Sequence, residues 1–167
     1  MEPASFRAQA RPLTELDDFE ANPFLAPYHA PIRRWLRADG RVPKRRDLGF
    51  RDFGGWHDSM IVSEILEDGD LKFRLVGQRA ADIFDGLIRA GGRFSAVPGI
   101  VFSDFHGHFG AIRAGGVYGR VEGIVPFEGR EHAALHVLDL PVKDSEGCIT
   151  FLYSFFRQRP TVRAFSE

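Results

Sequence analysis

The most regular hydrophobic pattern in the chain is Leu71-Lys-Phe-Arg-Leu-Val76, in which Leu71, Phe73 and Leu75 alternate with Lys72 and Arg74. That period of two is the signature of a strand with one dry face. A second apolar run over residues 60–66 precedes it across the acidic turn Glu67-Asp-Gly-Asp70, so the pair is predicted to form a β-hairpin. The spacing then changes. Residues 78–84 place Ala80, Ile83 and Phe84 within one arc before Gly86, and residues 100–114 set Val101, Phe105, Phe109 and Ile112 along one face, with Phe102 beside them, before Gly115-Gly116. Both segments are predicted to be helices. Upstream, Tyr28, Ile32, Trp35 and Leu36 also fall at helical spacing, with Pro31 suited to a first turn and Gly40 placed as the stop. Three strands are predicted to end the domain, over residues 117–126, 132–142 and 148–156. The last carries Ile149, Phe151, Tyr153 and Phe155 on one side and Cys148, Thr150, Leu152, Ser154 and Phe156 on the other. A strand apolar on both sides implies that both faces of its sheet are covered.

The remaining stretches divide the chain. Residues 1–22 hold Pro3, Pro12 and the acids Glu15, Asp17, Asp18 and Glu20 with little to bury, and are expected to be a mobile arm. Residues 23–59 supply the amphipathic helix and a connection in which Phe50, Phe53 and Trp56 are expected to cover a core edge. Residues 60–156 form the core and 157–167 a tail. The Gly-rich residues 86–99 read as a crossing loop.

Composition narrows the function classes. The chain has 167 residues, 44% of them hydrophobic, including 16 Phe, enough for one packed domain. A formal charge of -1 gives no overall attraction to nucleic acid or to an anionic membrane. One cysteine excludes an intramolecular disulfide, and nothing resembles a signal peptide or a long apolar span, so a cytoplasmic protein with no membrane association is expected. The dense basic run Arg33, Arg34, Arg37, Arg41, Lys44, Arg45 and Arg46 lacks aromatic interleaving. It reads as a solvated face offered to an acidic protein partner, not to nucleic acid.

Candidate chemistry is sparse. His106 and His108 diverge by about 200° on a helix, and His132 and His136 are ~13 Å apart along a strand, so neither pair chelates a metal. Cys148 reads as a buried small hydrophobe. Gly91-Gly92 and Gly115-Gly116 lack the Lys-Ser/Thr and β-α-β context of phosphate loops, and no Gly-x-Ser-x-Gly or His-Glu-x-x-His motif occurs. No catalytic residue and no metal site is assigned. Asp82, Asp85 and Asp104, together with the histidines, are the acid–base candidates of an enzymatic alternative, a small cone-shaped α+β isomerase or hydratase.

The segments Trp35-Leu-Arg-Ala38, Val42-Pro-Lys-Arg45 and Phe73-Arg-Leu-Val-Gly77, followed by Leu140-Pro141 and the Asp144 to Gly147 turn, occur in an order that resembles a short stand-alone bacterial family of PAS domains. The resemblance runs from about Ile32 to Phe156. It implies an α+β fold with a five-stranded antiparallel sheet in the order 2-1-5-4-3, helices over one face, and a pocket between them. It also implies sensing or protein interaction in signal transduction, not a reaction. The cofactor is left unspecified: an axial histidine such as His106 or His108 would serve haem, whereas Cys148 lies in the wrong setting for a flavin adduct. On this reading Phe73, Leu75, Ile83, Phe84, Phe102, Phe105, Phe109, Val121, Leu138 and Tyr153 line a cavity for a small, mostly apolar ligand. A cavity of about 300 Å³ or more marks a ligand sensor, whereas a core filled by its own Phe marks an interaction scaffold. With no output domain in these 167 residues, the signal is expected to pass to another polypeptide or a second copy. A homodimer is expected through Tyr28, Ile32, Trp35 and Leu36, the helix docking on the sheet's outer face in the same or the paired subunit.

Overall fold

The hairpin forms where the alternation puts it. In the computed structural model, which describes residues 6–36, 42–124 and 133–160, strand β1 spans Arg7–Pro12, β2 Met60–Ile65 and β3 Leu71–Val76. β2 and β3 pair antiparallel, and Leu66 N–H donates to the Asp70 carbonyl at 2.8 Å to close the turn. Gly69 in that turn has φ +82°, and a Cβ there would lie 2.7 Å from His106 Nε2. The positive φ is what favours glycine, since the exposed His106 ring can move aside.

One residue breaks the predicted alternation. Val62 pairs with Leu75 and Ser63 with Phe73, so Arg74 is an extra residue on β3. This β-bulge reverses the parity beyond it, leaving Leu71 and Phe73 in the core on one face and turning Leu75 to the opposite one.

Strands β4 (Val117–Ile124), β5 (Ala133–Lys143) and β6 (Ile149–Pro160) complete an open six-stranded sheet in the order β1-β4-β5-β6-β2-β3. Every pairing is antiparallel, including the expected one between the hairpin's first strand, β2, and the last strand, β6. The sheet has six strands where five are expected. The addition is β1, which runs along β4 from Arg7 opposite Glu122 to Pro12 opposite Val117. The described part of the expected mobile arm is thus built into the fold: Leu16 and Phe19 are buried in the 3-10 segment Leu13–Ala21, and Tyr118 Oη donates to Glu15 Oε2 at 2.7 Å. At the other end β6 runs through Pro160, so the expected tail begins inside a strand. The helix stop at Gly40, residues 125–126 of the predicted third strand, the turn that follows and His132 lie outside the described residues.

Helices α1 (His29–Leu36), α2 (Gln78–Ile83) and α3 (Ser103–Ala114) sort to opposite faces of the sheet. The result is α+β with a core on each side. On the inner face α2, α3 and their connection pack against Ile61, Phe73, Val121, Val137, Leu152 and Phe156. On the outer face residues 13–36 pack against Met60, Val62, Leu138, Leu140, Tyr153 and Phe155. The two-sided β6 is explained by this double covering.

The stripe expected at a subunit interface is buried within the chain. Tyr28 and Ile32 are fully buried and Trp35 is 2% exposed, while Leu36 packs at the margin. Trp35 Nε1–H donates to the Pro141 carbonyl at 2.8 Å, and Tyr28 Oη donates to the His136 carbonyl at 2.9 Å. Burial pushes the Tyr28 hydroxyl far above its ordinary pKa. These side chains cover the outer face of their own sheet, the same-subunit form of the expected docking. Among the described residues no helix is long and apolar enough to cross a membrane.

Candidate functional site

The inner face encloses a cavity of about 70 Å³ between the sheet and helices α2 and α3. Its walls are apolar, with seven Phe (Phe6, Phe73, Phe84, Phe94, Phe105, Phe109 and Phe156) among the lining residues. The rings brace one another: Phe94 meets Phe109 edge-on at 5.1 Å and Phe105 at 5.1 Å, and Phe84 meets Phe156 at 5.9 Å. Such contacts stabilise a defined wall. The volume is well below the roughly 300 Å³ of a metabolite-sized pocket, because the Phe side chains occupy most of the space themselves.

Three polar side chains interrupt that wall. Ser63 of β2, Asp139 of β5 and Ser154 of β6 line the cavity, and their residues are only 1%, 3% and 6% exposed. Asp139 stands directly opposite Ser154 in the β5–β6 register, and Ser154 Oγ donates to Asp139 Oδ1 at 2.6 Å. The other carboxylate oxygen, Oδ2, lies 3.4 Å from Nε2 of His108, itself buried. Where that carboxylate oxygen accepts, Nε2–H of the imidazole is the donor. His108 reaches this position because α3 packs its Phe105, Phe109 and Ile112 face on the sheet, and residue 108 falls within that arc. β4 yields at the contact: a Cβ on Gly119 would lie 2.7 Å from His108 Nε2 and 2.9 Å from Asp139 Cβ. A glycine here makes room for the buried pair. Two buried polar atoms of this site, Ser63 Oγ and His108 Nδ1, have no hydrogen-bond partner among the described residues. A buried hydroxyl without a partner costs about 1–3 kcal/mol, so a molecule that supplies one gains there.

Five of the ten residues expected to line a ligand cavity do so: Phe73, Phe84, Phe105, Phe109 and Val121. Ile83 and Phe102 belong to the same core without reaching the cavity. Leu75, Leu138 and Tyr153 face the outer side. Leu75 is turned by the bulge at Arg74, while Leu138 and Tyr153 lie on strands apolar at both parities, where the pattern does not distinguish the faces. Sequence reasoning missed Ser63, Asp139 and Ser154. One signal was visible: Asp139 is the single acid inside the run Val137-Leu-Asp-Leu140.

Other expectations change as well. His108, one of the two candidate axial histidines, is buried; the other, His106, is exposed, its Nε2 3.2 Å from the Asp68 carbonyl. Cys148 is exposed, because it ends the turn before β6 and its N–H donates to Asp144 Oδ1 at 3.0 Å. Asp82, Asp85 and Asp104 are exposed at the helix ends, so the acid that meets a histidine is Asp139 and none of these three. Among the described residues no group of three or more His, Cys, Asp or Glu is placed to hold a metal ion.

The basic run dissolves into local pairs. Arg33 bonds Glu20 at 2.7 Å, Arg34 bonds Asp52 at 2.9 Å, and Arg46 lies 4.0 Å from Asp47. Arg37 and Arg41 lie outside the described residues. Arg45 sits instead over the ring of Phe151, 4.7 Å from its centroid.

Compared with family models, curated proteins and solved structures, the chain has no significant match to any of them.

Proposed function

We propose that this chain is a PAS-like sensory or regulatory domain whose inner cavity takes a ligand of a few heavy atoms, apolar in body and carrying one hydrogen-bonding group. The observation that carries this reading is the Ser63 hydroxyl, 1% exposed, unpartnered among the described residues, and lining an apolar cavity beside the Asp139–Ser154 pair. The strand order β3-β2-β6-β5-β4 with helices over the cavity side supports the PAS-like part, since it follows the family's order 2-1-5-4-3. The volume falls below the roughly 300 Å³ that marks a metabolite sensor, which limits the ligand to a few heavy atoms and keeps the Phe-filled interaction scaffold as the second reading; both are favoured over the enzymatic alternative. A cavity of about 70 Å³ is about half the size of an engineered apolar cavity that holds benzene, which leaves little room for a substrate and its reaction.

The test is an NMR titration of the intact chain with ethanol and propan-1-ol. Saturable shifts confined to the resonances of Ser63, Val121, Asp139, Leu152 and Ser154 are expected, weakened in Ser63→Ala. Shifts that rise linearly without saturation and spread over the surface would assign the site to solvent and leave an interaction scaffold.

A further inference from the structure

The bulge that turns Arg74 and Leu75 to the outer face also helps to shape a second pocket. It lies between β2, β3, β6 and the connection before the hairpin, and its volume is about 250 Å³, more than three times that of the inner cavity. Its apolar walls include Leu48, Met60 and Val62, while Arg45, Arg74 and Tyr153 contribute its polar groups. At its rim Phe50 is 52% exposed, the ring stacked on His57 at 3.8 Å. An exposed aromatic beside an apolar hollow is a surface prepared for contact.

The charges decide what fits. Arg74 is paired with Glu64, donating from both Nε and Nη2 to the same carboxylate oxygen, so the two nearly cancel. Arg45 has no carboxylate partner among the described residues: its neighbours Arg34 and Arg46 have taken Asp52 and Asp47, and it rests on the face of Phe151. It therefore brings one uncompensated positive charge to an apolar hollow. Burial raises the pKa of the Tyr153 hydroxyl, with the Arg45 guanidinium opposing that rise, which places the cation beside a phenol that remains protonated and can donate. A guanidinium over a ring and a neutral phenol are donors without an acceptor of matching charge. A carboxylate supplies one, in the fork geometry that Arg favours.

We propose that this outer pocket binds a small amphipathic monocarboxylate, its carboxylate held by Arg45 and the Tyr153 hydroxyl and its apolar body lodged on Leu48, Met60 and Val62. The inference rests on the outer face and is independent of the ligand proposed for the inner cavity.

Isothermal titration calorimetry of the intact chain with octanoate and with its uncharged counterpart octanamide tests it. One-to-one saturable binding of octanoate is expected, with octanamide at least tenfold weaker. Arg45→Gln, an exposed position whose change leaves the far-ultraviolet circular dichroism intact, is expected to weaken octanoate at least tenfold and octanamide hardly at all. Ser63→Ala is expected to leave both unchanged, which separates this pocket from the inner cavity. Equal binding of the two compounds, no saturable binding of octanoate, or octanoate binding insensitive to Arg45→Gln would overturn the proposal. So would concentration-dependent self-association lost in Arg45→Gln, which would assign the pocket to a second copy of the chain.

Discussion

Replacing Trp35 tests whether the N-terminal helix belongs to the fold of its own chain. The indole is 2% exposed, packed in the outer core, and its Nε1–H donates to the Pro141 carbonyl at 2.8 Å. A buried Trp removes about 150–250 Å² from water, which at about 25 cal/mol per Å² is roughly 4–6 kcal/mol. Truncations of buried Trp to Ala cost about 3–5 kcal/mol, so the two routes agree. Against a total of about 5–15 kcal/mol for a domain, Trp35→Ala is expected to remove about a fifth or more of the stability. Trp35→Phe keeps most of the packing and orphans the Pro141 carbonyl, at about 1–3 kcal/mol. Urea unfolding followed by circular dichroism, with an m-value of about 2–3 kcal/mol per M, should show the midpoint of Trp35→Ala lowered by about 1–2.5 M. Because the burial lies within one chain, the difference in midpoint between wild type and variant should not depend on protein concentration. An interface residue behaves otherwise: its contribution grows with concentration, by mass action. A Trp35→Ala protein that keeps the wild-type midpoint while sedimenting as a smaller species would refute the intrachain docking and restore the helix to a dimer interface.

Gly119→Ala should cost about 1–3 kcal/mol, since its Cβ would lie 2.7 Å from His108 Nε2 in a packed interior, and should lower the melting temperature by roughly 3–10 °C. In a His108→Ala background the same change should cost measurably less; an identical cost in both backgrounds would show that the close approach is not the cause. Glu15 titrates below its ordinary value of 4.5, chiefly because of the hydrogen bond from Arg11 and further through Tyr118. A carboxylate whose folded pKa is depressed contributes stability above its unfolded pKa and loses that contribution as the pH falls through the folded one. The melting temperature of Glu15→Gln should therefore lie below wild type at pH 7, with the gap closing as the pH falls below about 4.5. A gap unchanged at pH 3 would contradict the assignment.

The hydrophobic pattern by itself determined the hairpin, helices α2 and α3, the three closing strands, and the covering of both sheet faces, because each of these follows from local periodicity or from a strand apolar on two sides. It did not reveal β1. Arg7, Gln9 and Arg11 alternate with Ala8, Ala10 and Pro12, too weak an apolar signal to mark a strand, and β4 supplies the pairing that makes it one. Nor did it show the bulge. A period of two across Leu71, Phe73 and Leu75 is what an unbroken strand requires, and only the pairing with Val62 and Ser63 makes Arg74 an extra residue and carries Leu75 across. In β5, Val137 and Leu138 are equally suited to either core, so packing chose which one faces the helices and set Asp139 on the inner side. The acid was legible as an interruption in an apolar run. That it meets Ser154, 15 positions away, and His108, 31 positions away, was decided by strand register and by the seat of α3 on Gly119. Periodicity states what each segment wants to bury; only the assembled sheet determines which segments bury one another.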